Sequence, residues 1–181
     1  MLKGKVILCG VCGGIAVYKT VELVSRLKYC GADVHVIMTA NATRFVTPLT
    51  FQSISRNPVS IDMFEAKQES SFQHLDLAAR SDLLIIAPAT ANIISKAANG
   101  IADDLLSTSI LAFHNKILII PSMNSSMYDT EIVQENIHRL QKRGYLLLEP
   151  ESGSMANGTT GIGRFPHTEK IIERIRLELI S

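Results

Sequence analysis

Apolar residues gather in short runs, unbroken but for His35, at residues 6–9, 34–38, 83–87, 117–120 and 145–148. A strand with one wet face alternates apolar and polar side chains. Runs with no polar beat suit strands covered on both faces, and so a parallel sheet enclosed between helices. The segments between them have the complementary period. Ala16, Thr20, Leu23, Val24 and Leu27 recur at three- and four-residue steps along one face of a helix that Gly31 can end. Val133, Ile137 and Leu140 do the same ahead of Gly144. Thr168 is placed to cap a last helix carrying Ile171, Ile172, Ile175 and Leu179. Strand and helix alternating at this spacing predict an α/β fold, a three-layer doubly wound parallel sheet of the Rossmann or flavodoxin-like kind with right-handed crossovers. Two segments break the rhythm. Residues 57–72 are polar and poorly periodic, and residues 151–166 carry Gly153, Gly158, Gly161 and Gly163, which suits either a flap over a site or a plain surface loop.

The chain has 181 residues, a length that suits one domain over 1–181 with a single sizeable core. Eighteen Lys and Arg against 17 Asp and Glu give a formal charge of +1 with no basic block. That pattern lacks both the footprint of a nucleic-acid binder and a polybasic membrane patch, so small molecules are the expected partners. Cys9, Cys12 and Cys30 lie in or beside apolar segments and are odd in number, which suits buried thiols in the cytoplasm better than disulfides. Cys9 and Cys12 form a C-x-x-C, but no second pair or histidine cluster completes a metal site, and no metal is expected. No apolar run approaches the roughly 18 residues of a membrane span.

In an open parallel sheet, ligands bind outside the carboxyl ends of the strands, where helix N-termini favour anions. Candidate chemistry clusters after the strand-like runs. Gly10-Val11-Cys12-Gly13-Gly14-Ile15 follows the first; its paired glycines let backbone approach a phosphate, although it matches neither G-x-G-x-x-G nor G-x-x-x-x-G-K-[ST]. Thr39 and Asn41 follow the second run. Pro88-Ala89-Thr90-Ala91-Asn92 follows the third and opens a helix that continues toward Gly100-Ile101-Ala102-Asp103-Asp104. Pro121-Ser122-Met123-Asn124-Ser125-Ser126-Met127-Tyr128 follows the fourth, where Asn124 is either a turn residue or a donor able to hold a carboxylate without adding charge. His74 is either a hydrogen-bonded structural residue or a proton carrier, its ordinary pKa being suited to the second role.

Taken in order, Gly13-Gly14-Ile15-Ala16 with Tyr18-Lys19, Thr47-Pro48-Leu49-Thr50-Phe51-Gln52, His74-Leu75, Thr90-Ala91-Asn92 through Asp104, and Pro121 to Tyr128 resemble the homo-oligomeric flavin-containing cysteine decarboxylases. That family includes phosphopantothenoylcysteine decarboxylase and the lantibiotic peptidyl-cysteine decarboxylases. The resemblance implies FMN, with contacts at Gly13, Gly14, Ile15, Thr39, Asn41, Thr90, Ala91, Asn92, Ser107, Thr108 and Ser122. It implies catalytic roles for His74, as base, and Asn124, and substrate contacts at Asn124, Met127, Ala156 and Asn157. It also implies a homo-oligomer, a trimer or a dodecamer built from trimers, with the active site between subunits. The implied reaction oxidises the cysteine side chain to a thioaldehyde, so that the neighbouring carboxylate leaves as from a β-keto acid and an enethiolate remains. Coenzyme A biosynthesis is the implied setting, with peptide modification or a non-catalytic flavin-binding subunit as alternatives. One position departs from the pattern. Asn157, in Met155-Ala156-Asn157-Gly158, stands where the phosphopantothenoylcysteine enzymes carry a proton-donating cysteine.

Overall fold

The computed structural model describes residues 1–63, 73–154, 158 and 160–180, and of residues 73–75 only the backbone. The apolar runs form β1 (Val6–Val11), β2 (Asp33–Met38), β4 (Leu83–Ala89), β5 (Lys116–Pro121) and β6 (Leu146–Leu147). A further short strand, β3 (Val59–Ser60), comes from the segment that showed no strand pattern. It joins because Val59 and Ser60 pair with Val36 and Ile37 at the sheet edge, a tertiary contact with no local signature. The six strands are parallel in the order β3-β2-β1-β4-β5-β6. Strand order reverses between β1 and β4, and the crevice above that point is where such sheets bind ligands.

The absence of alternation now has its structural cause. Along β1, Ile7, Cys9 and Val11 enter one core while Leu8 enters the other. In β4, Leu83, Ile85 and Ala87 face the first core, and Leu84 and Ile86 the second. The first layer is α1 (Val17–Tyr29), α2 (Pro48–Ser55) and α8 (Thr168–Ile180), which contribute Leu23, Leu27, Phe51 and Ile175. The second is α3 (Gln73–Arg80), α4 (Ala91–Asn99), α5 (Leu105–Ala112) and α7 (Glu131–Lys142), which contribute Ala78, Ile94, Ile110 and Ile137. Each fully buried aliphatic side chain is worth roughly 1.5–3 kcal/mol.

The same alternation separates the C-x-x-C pair. An odd spacing along extended backbone sends Cys9 and Cys12 to opposite faces of the sheet, so they can neither bridge nor chelate together. Among the described residues no group of three or more His, Cys, Asp or Glu is placed to hold a metal ion. No described helix is long and apolar enough to cross a membrane.

Glycine ends the helices as expected. Gly31 takes φ +92°, with the Ala32 N–H donating to Leu27 O and the Gly31 N–H to Lys28 O. Gly144 (φ +88°) does the same after α7. Thr168 differs from expectation: it is the first residue of α8 and is buried, and the first turn closes on His167 O. The glycine-rich segment forms an antiparallel hairpin, β7 (Glu151–Ser154) and β8 (Thr160–Arg164), outside the main sheet.

Candidate functional site

A cleft of about 920 Å³ opens at the carboxyl ends of β1, β2, β4 and β5. The loop after β1 supplies Gly13, Gly14 and Ile15, the loop after β2 supplies Thr39 and Asn41, α4 begins with Ala91 and Asn92, and Ser122, Asn124 and Met127 follow β5. Two of these loops nearly touch. A Cβ on Gly13 would stand 2.5 Å from Asn41 Cβ and 2.8 Å from its carbonyl carbon, so only glycine lets the turn close there. At Gly14 a Cβ would meet nothing nearer than Thr90 Cγ2 at 3.7 Å and would project into free space.

Short polar side chains fix the loop geometry and, among the described residues, leave their donors free. Thr90, the N-cap of α4, accepts from the Ile93 N–H at 3.5 Å, and Thr39 accepts from the Ala42 N–H at 3.3 Å. Each hydroxyl proton can still donate. Asn124 caps the short helix α6 (Ser125–Tyr128), its Oδ1 accepting from the Ser126 N–H at 2.8 Å. With the amide oxygen engaged, the Nδ2 hydrogens are what the residue can offer a ligand. Tyr128 anchors this turn from below, its buried hydroxyl donating to Glu149 Oε2 at 2.6 Å.

The hairpin docks on the same wall. The Met123 N–H donates to Gly163 O at 3.0 Å, and a Cβ on Gly161 would stand 2.5 Å from Ser125 Cβ. Ser154, Gly163 and Arg164 therefore line the cleft beside Phe165.

On the α4 side, Lys96 Nζ lies 2.6 Å from Asp103 Oδ1 and 2.8 Å from Asp104 Oδ2. Burial alone would lower the Lys96 pKa, but the two carboxylates outweigh it and hold the ammonium above its ordinary range. Burial likewise would raise Asp104, and the hydrogen bonds from Lys96 and the Ser107 N–H outweigh it, so the carboxyl sits low. Cys12 also lines the cleft; burial pushes its thiol up to about 12, and it stays protonated near neutrality.

Of the residues singled out in the sequence, Ser107 and Thr108 do not line this cleft. Ser107 is buried, and its backbone and hydroxyl complete a capping box with Asp104 at the start of α5. His74 lies in the first turn of α3, and its side chain, like all of Ala156 and Asn157, is outside the described residues. Lys19, Lys96, Asp104 and Arg164 line the cleft without having been assigned a role from sequence. The one local signal was the short separation of Lys96, in the last turn of α4, from Asp103 and Asp104, which follow the Gly100 cap of that helix.

The family model described as Flavoprotein matches residues 1–179. The chain belongs to the flavoprotein family. Among its flavoprotein relatives, the coenzyme A biosynthesis bifunctional protein CoaBC of Bacillus subtilis (strain 168) is 49% identical over 173 residues, covering 96% of this chain and 43% of that protein. The chain thus spans less than half of that relative's length. Among solved structures, the FMN-dependent cysteine decarboxylase SpaF has a TM-score of 0.84 at 30% identity, covering 99% of this chain and 98% of its own. A PPC decarboxylase mutant complexed with pantothenoylaminoethenethiol has a TM-score of 0.87 at 25% identity, covering 98% of this chain and 99% of its own.

The cleft of this flavoprotein fits a flavin. A flavin presents a flat, largely apolar ring with polar edges and a polar tail. The cleft offers Ile15, Ala16, Met123 and Phe165 as apolar wall, the glycine turn for close backbone approach, and free hydroxyl and amide donors at Thr39, Thr90 and Asn124.

Proposed function

We propose that the chain is an FMN-dependent carboxy-lyase that removes the cysteine carboxyl group of phosphopantothenoylcysteine, a step of coenzyme A biosynthesis. The observation that carries this reading is the convergence, in one cleft, of the Gly13-Gly14 turn, the capped start of α4 and an Asn124 amide with its oxygen already engaged. The Bacillus subtilis relative and the PPC decarboxylase structure support the substrate class.

In this reading Gly13, Gly14, Ile15, Thr39, Asn41, Thr90, Ala91, Asn92 and Ser122 hold FMN. Bound FMN would supply the two-electron oxidation of the sulfur-bearing carbon, which makes the adjacent carboxylate a good leaving group. Asn124 Nδ2–H donates to that carboxylate and orients it for departure, adding no charge that would hold it in place. Met127, half exposed at the rim, covers the substrate from the α6 side, and Ala156 and Asn157 are further substrate contacts. His74 serves as the base. The protein is a homo-oligomer, trimeric or dodecameric. Exposed Ile15, Tyr18, Phe45 and Leu49, which follow the carboxyl ends of β1 and β2, are the apolar surface such an assembly would cover.

A second reading is peptidyl-cysteine decarboxylation ending at the enethiol. Asn157 favours it, because an amide is a poor acid for protonating an enethiolate. Purified protein reconstituted with FMN is incubated with phosphopantothenoylcysteine and, separately, with cysteine-ended peptides, and products are weighed by mass spectrometry. Loss of carbon dioxide alone marks completed reduction; loss of carbon dioxide and two hydrogens marks the enethiol. Mass loss from neither substrate removes the decarboxylase reading, and a His74→Asn variant of full activity removes the role of the base.

A further inference from the structure

His35 is the one polar residue inside the apolar run of β2. By the strand's two-residue period it points to the same face as Ile37, which packs in the second core. It is buried, 8% exposed, and its Nε2 stands between two groups of opposite charge: Asp33 Oδ2 lies 3.0 Å away and Arg80 Nη2 3.3 Å away. An ionised carboxylate only accepts and a guanidinium only donates, so one ring nitrogen cannot bond to both. With Nε2 unprotonated the ring accepts from Arg80. With Nε2 protonated it donates to Asp33 and presents an N–H to the guanidinium.

The surroundings prepare this choice. Asp33 Oδ1 accepts from Asn57 Nδ2 at 2.9 Å and lies 3.5 Å from Lys28 Nζ, which leaves Oδ2 facing the ring. Burial would raise the Asp33 pKa, but the hydrogen bonds from Asn57 and His35 and the charges of His35 and Lys28 outweigh it, so the carboxylate stays ionised in mild acid. Burial lowers the His35 pKa; the bond and charge of Asp33 oppose it, and the charges of Arg80 and Lys28 add to the lowering. The ring is therefore neutral near pH 7 and takes its proton below the ordinary value near about 6.5.

Arg80 is the last residue of α3, the eight-residue helix whose first turn carries His74, about 9 Å further along the axis. Among the described side chains of α3, Leu77 and Ala78 are buried, a small apolar face that leaves much of its placement to polar ties. The chain leaving the helix is held without charge: Ser81 Oγ donates to Leu77 O at 2.6 Å, and Asn115 Nδ2 to Ser81 O at 2.9 Å. Among the described contacts of α3, the bond from Arg80 is the one that a proton on the ring undoes.

We propose that neutral His35 clasps α3 by accepting from Arg80, and that proton uptake commits Nε2 to Asp33, frees Arg80 and loosens the helix that carries His74. His35 is thus a positioning residue. The clasp stands by itself, and its bearing on catalysis rests on the decarboxylase reading. Since the folded ring binds its proton less readily than the unfolded one, protection of α3 is lost as pH falls below about 6.5.

NMR of isotope-labelled histidine in wild type gives the tautomer and titration of His35, assigned as the signal that disappears in His35→Gln. Hydrogen–deuterium exchange of α3, corrected for intrinsic rates, is followed from about pH 7.5 to about pH 4.5 in wild type, His35→Gln and Arg80→Gln. The wild-type ring should carry its proton on Nδ1 at the upper end, and α3 exchange should rise roughly tenfold or more in step with the His35 titration. His35→Gln, whose amide oxygen accepts from Arg80 at every pH, should stay protected throughout. Arg80→Gln alters an exposed side chain and should exchange fast at both ends, with α7 unchanged in all three. An Nε2–H tautomer in the neutral ring, or α3 exchange that ignores the titration, overturns the clasp. With FMN-loaded protein and phosphopantothenoylcysteine, kcat should fall at higher pH in wild type than in His35→Gln. Coincident acid limbs remove the link to His74, and wild type that decarboxylates no substrate removes the reading beneath that link, while exchange decides the clasp in either case.

Discussion

Replacing Gly13 and Gly14 in turn by alanine adds the same methyl group to adjacent residues with different expected consequences. At Gly13 the new carbon would stand 2.5 Å from Asn41 Cβ and 2.8 Å from the Asn41 carbonyl carbon. Backbone cannot swing aside as a side-chain tip can, so the loops after β1 and β2 must part. Overpacking of this kind costs about 1–3 kcal/mol, which for a chain of this size lowers Tm by roughly 2–12 °C. At Gly14 the nearest atom is 3.7 Å away, an ordinary contact, so Gly14→Ala should melt within about 2 °C of wild type. Its methyl instead occupies space needed by a ligand that approaches the backbone, and flavin affinity should fall at least about tenfold, the equivalent of 1.4 kcal/mol. Thermal unfolding of the apo proteins by near-UV circular dichroism, with flavin titration by fluorescence quenching, separates the two effects. A Gly13→Ala protein that melts with wild type would refute the close-approach argument. Unaltered flavin affinity in Gly14→Ala would move the cofactor away from this turn.

Asp104→Ala removes the N-cap of α5 and one partner of Lys96, and should cost about 1–3 kcal/mol at pH 7 in urea denaturation. Because the folded-state pKa of Asp104 is depressed, its contribution is present above the unfolded value near about 3.9 and fades as pH falls through the folded value. The gap between variant and wild type should therefore narrow in acid, and a gap that widens there contradicts the assignment. Lys96 has the opposite sign: its raised pKa keeps its contribution intact below about 10.4 and loses it as pH climbs through the folded value, visible as a falling urea midpoint in strong alkali. Tyr128→Phe deletes the bond to Glu149 beneath the Asn124 turn and should cost about 1.5–3 kcal/mol, also read by urea denaturation; a midpoint equal to wild type would show the contact to be idle. Asn124→Ala should lower kcat/KM for decarboxylation by roughly 10- to 150-fold while FMN content per chain stays unchanged. Parallel loss of FMN would make Asn124 a cofactor ligand.

Much of the scaffold was written locally. Unbroken apolar runs demand cover on both faces, and that requirement alone implies parallel strands between helix layers. Gly31 and Gly144 end helices because their left-handed φ is open to glycine at little cost, a property of the residue and of nothing distant. The loops rich in glycine, threonine and asparagine after β1, β2, β4 and β5 were also legible as ligand-facing, since strand ends in such a sheet share one edge. Other features had no local signature. Val59–Ser60 becomes a strand only because β2 offers an unpaired edge, and residues 151–154 and 160–164 pair as two strands on the cleft wall only because Gly161 fits against Ser125 and Gly163 meets Met123. The approach of Gly13 to Asn41 depends on how separate strands and loops are brought together. Hydrophobic pattern and turn chemistry act over a few residues and so can be read one segment at a time. Which side chains share a cleft depends on strand order and register, and those are decided only when the whole sheet closes.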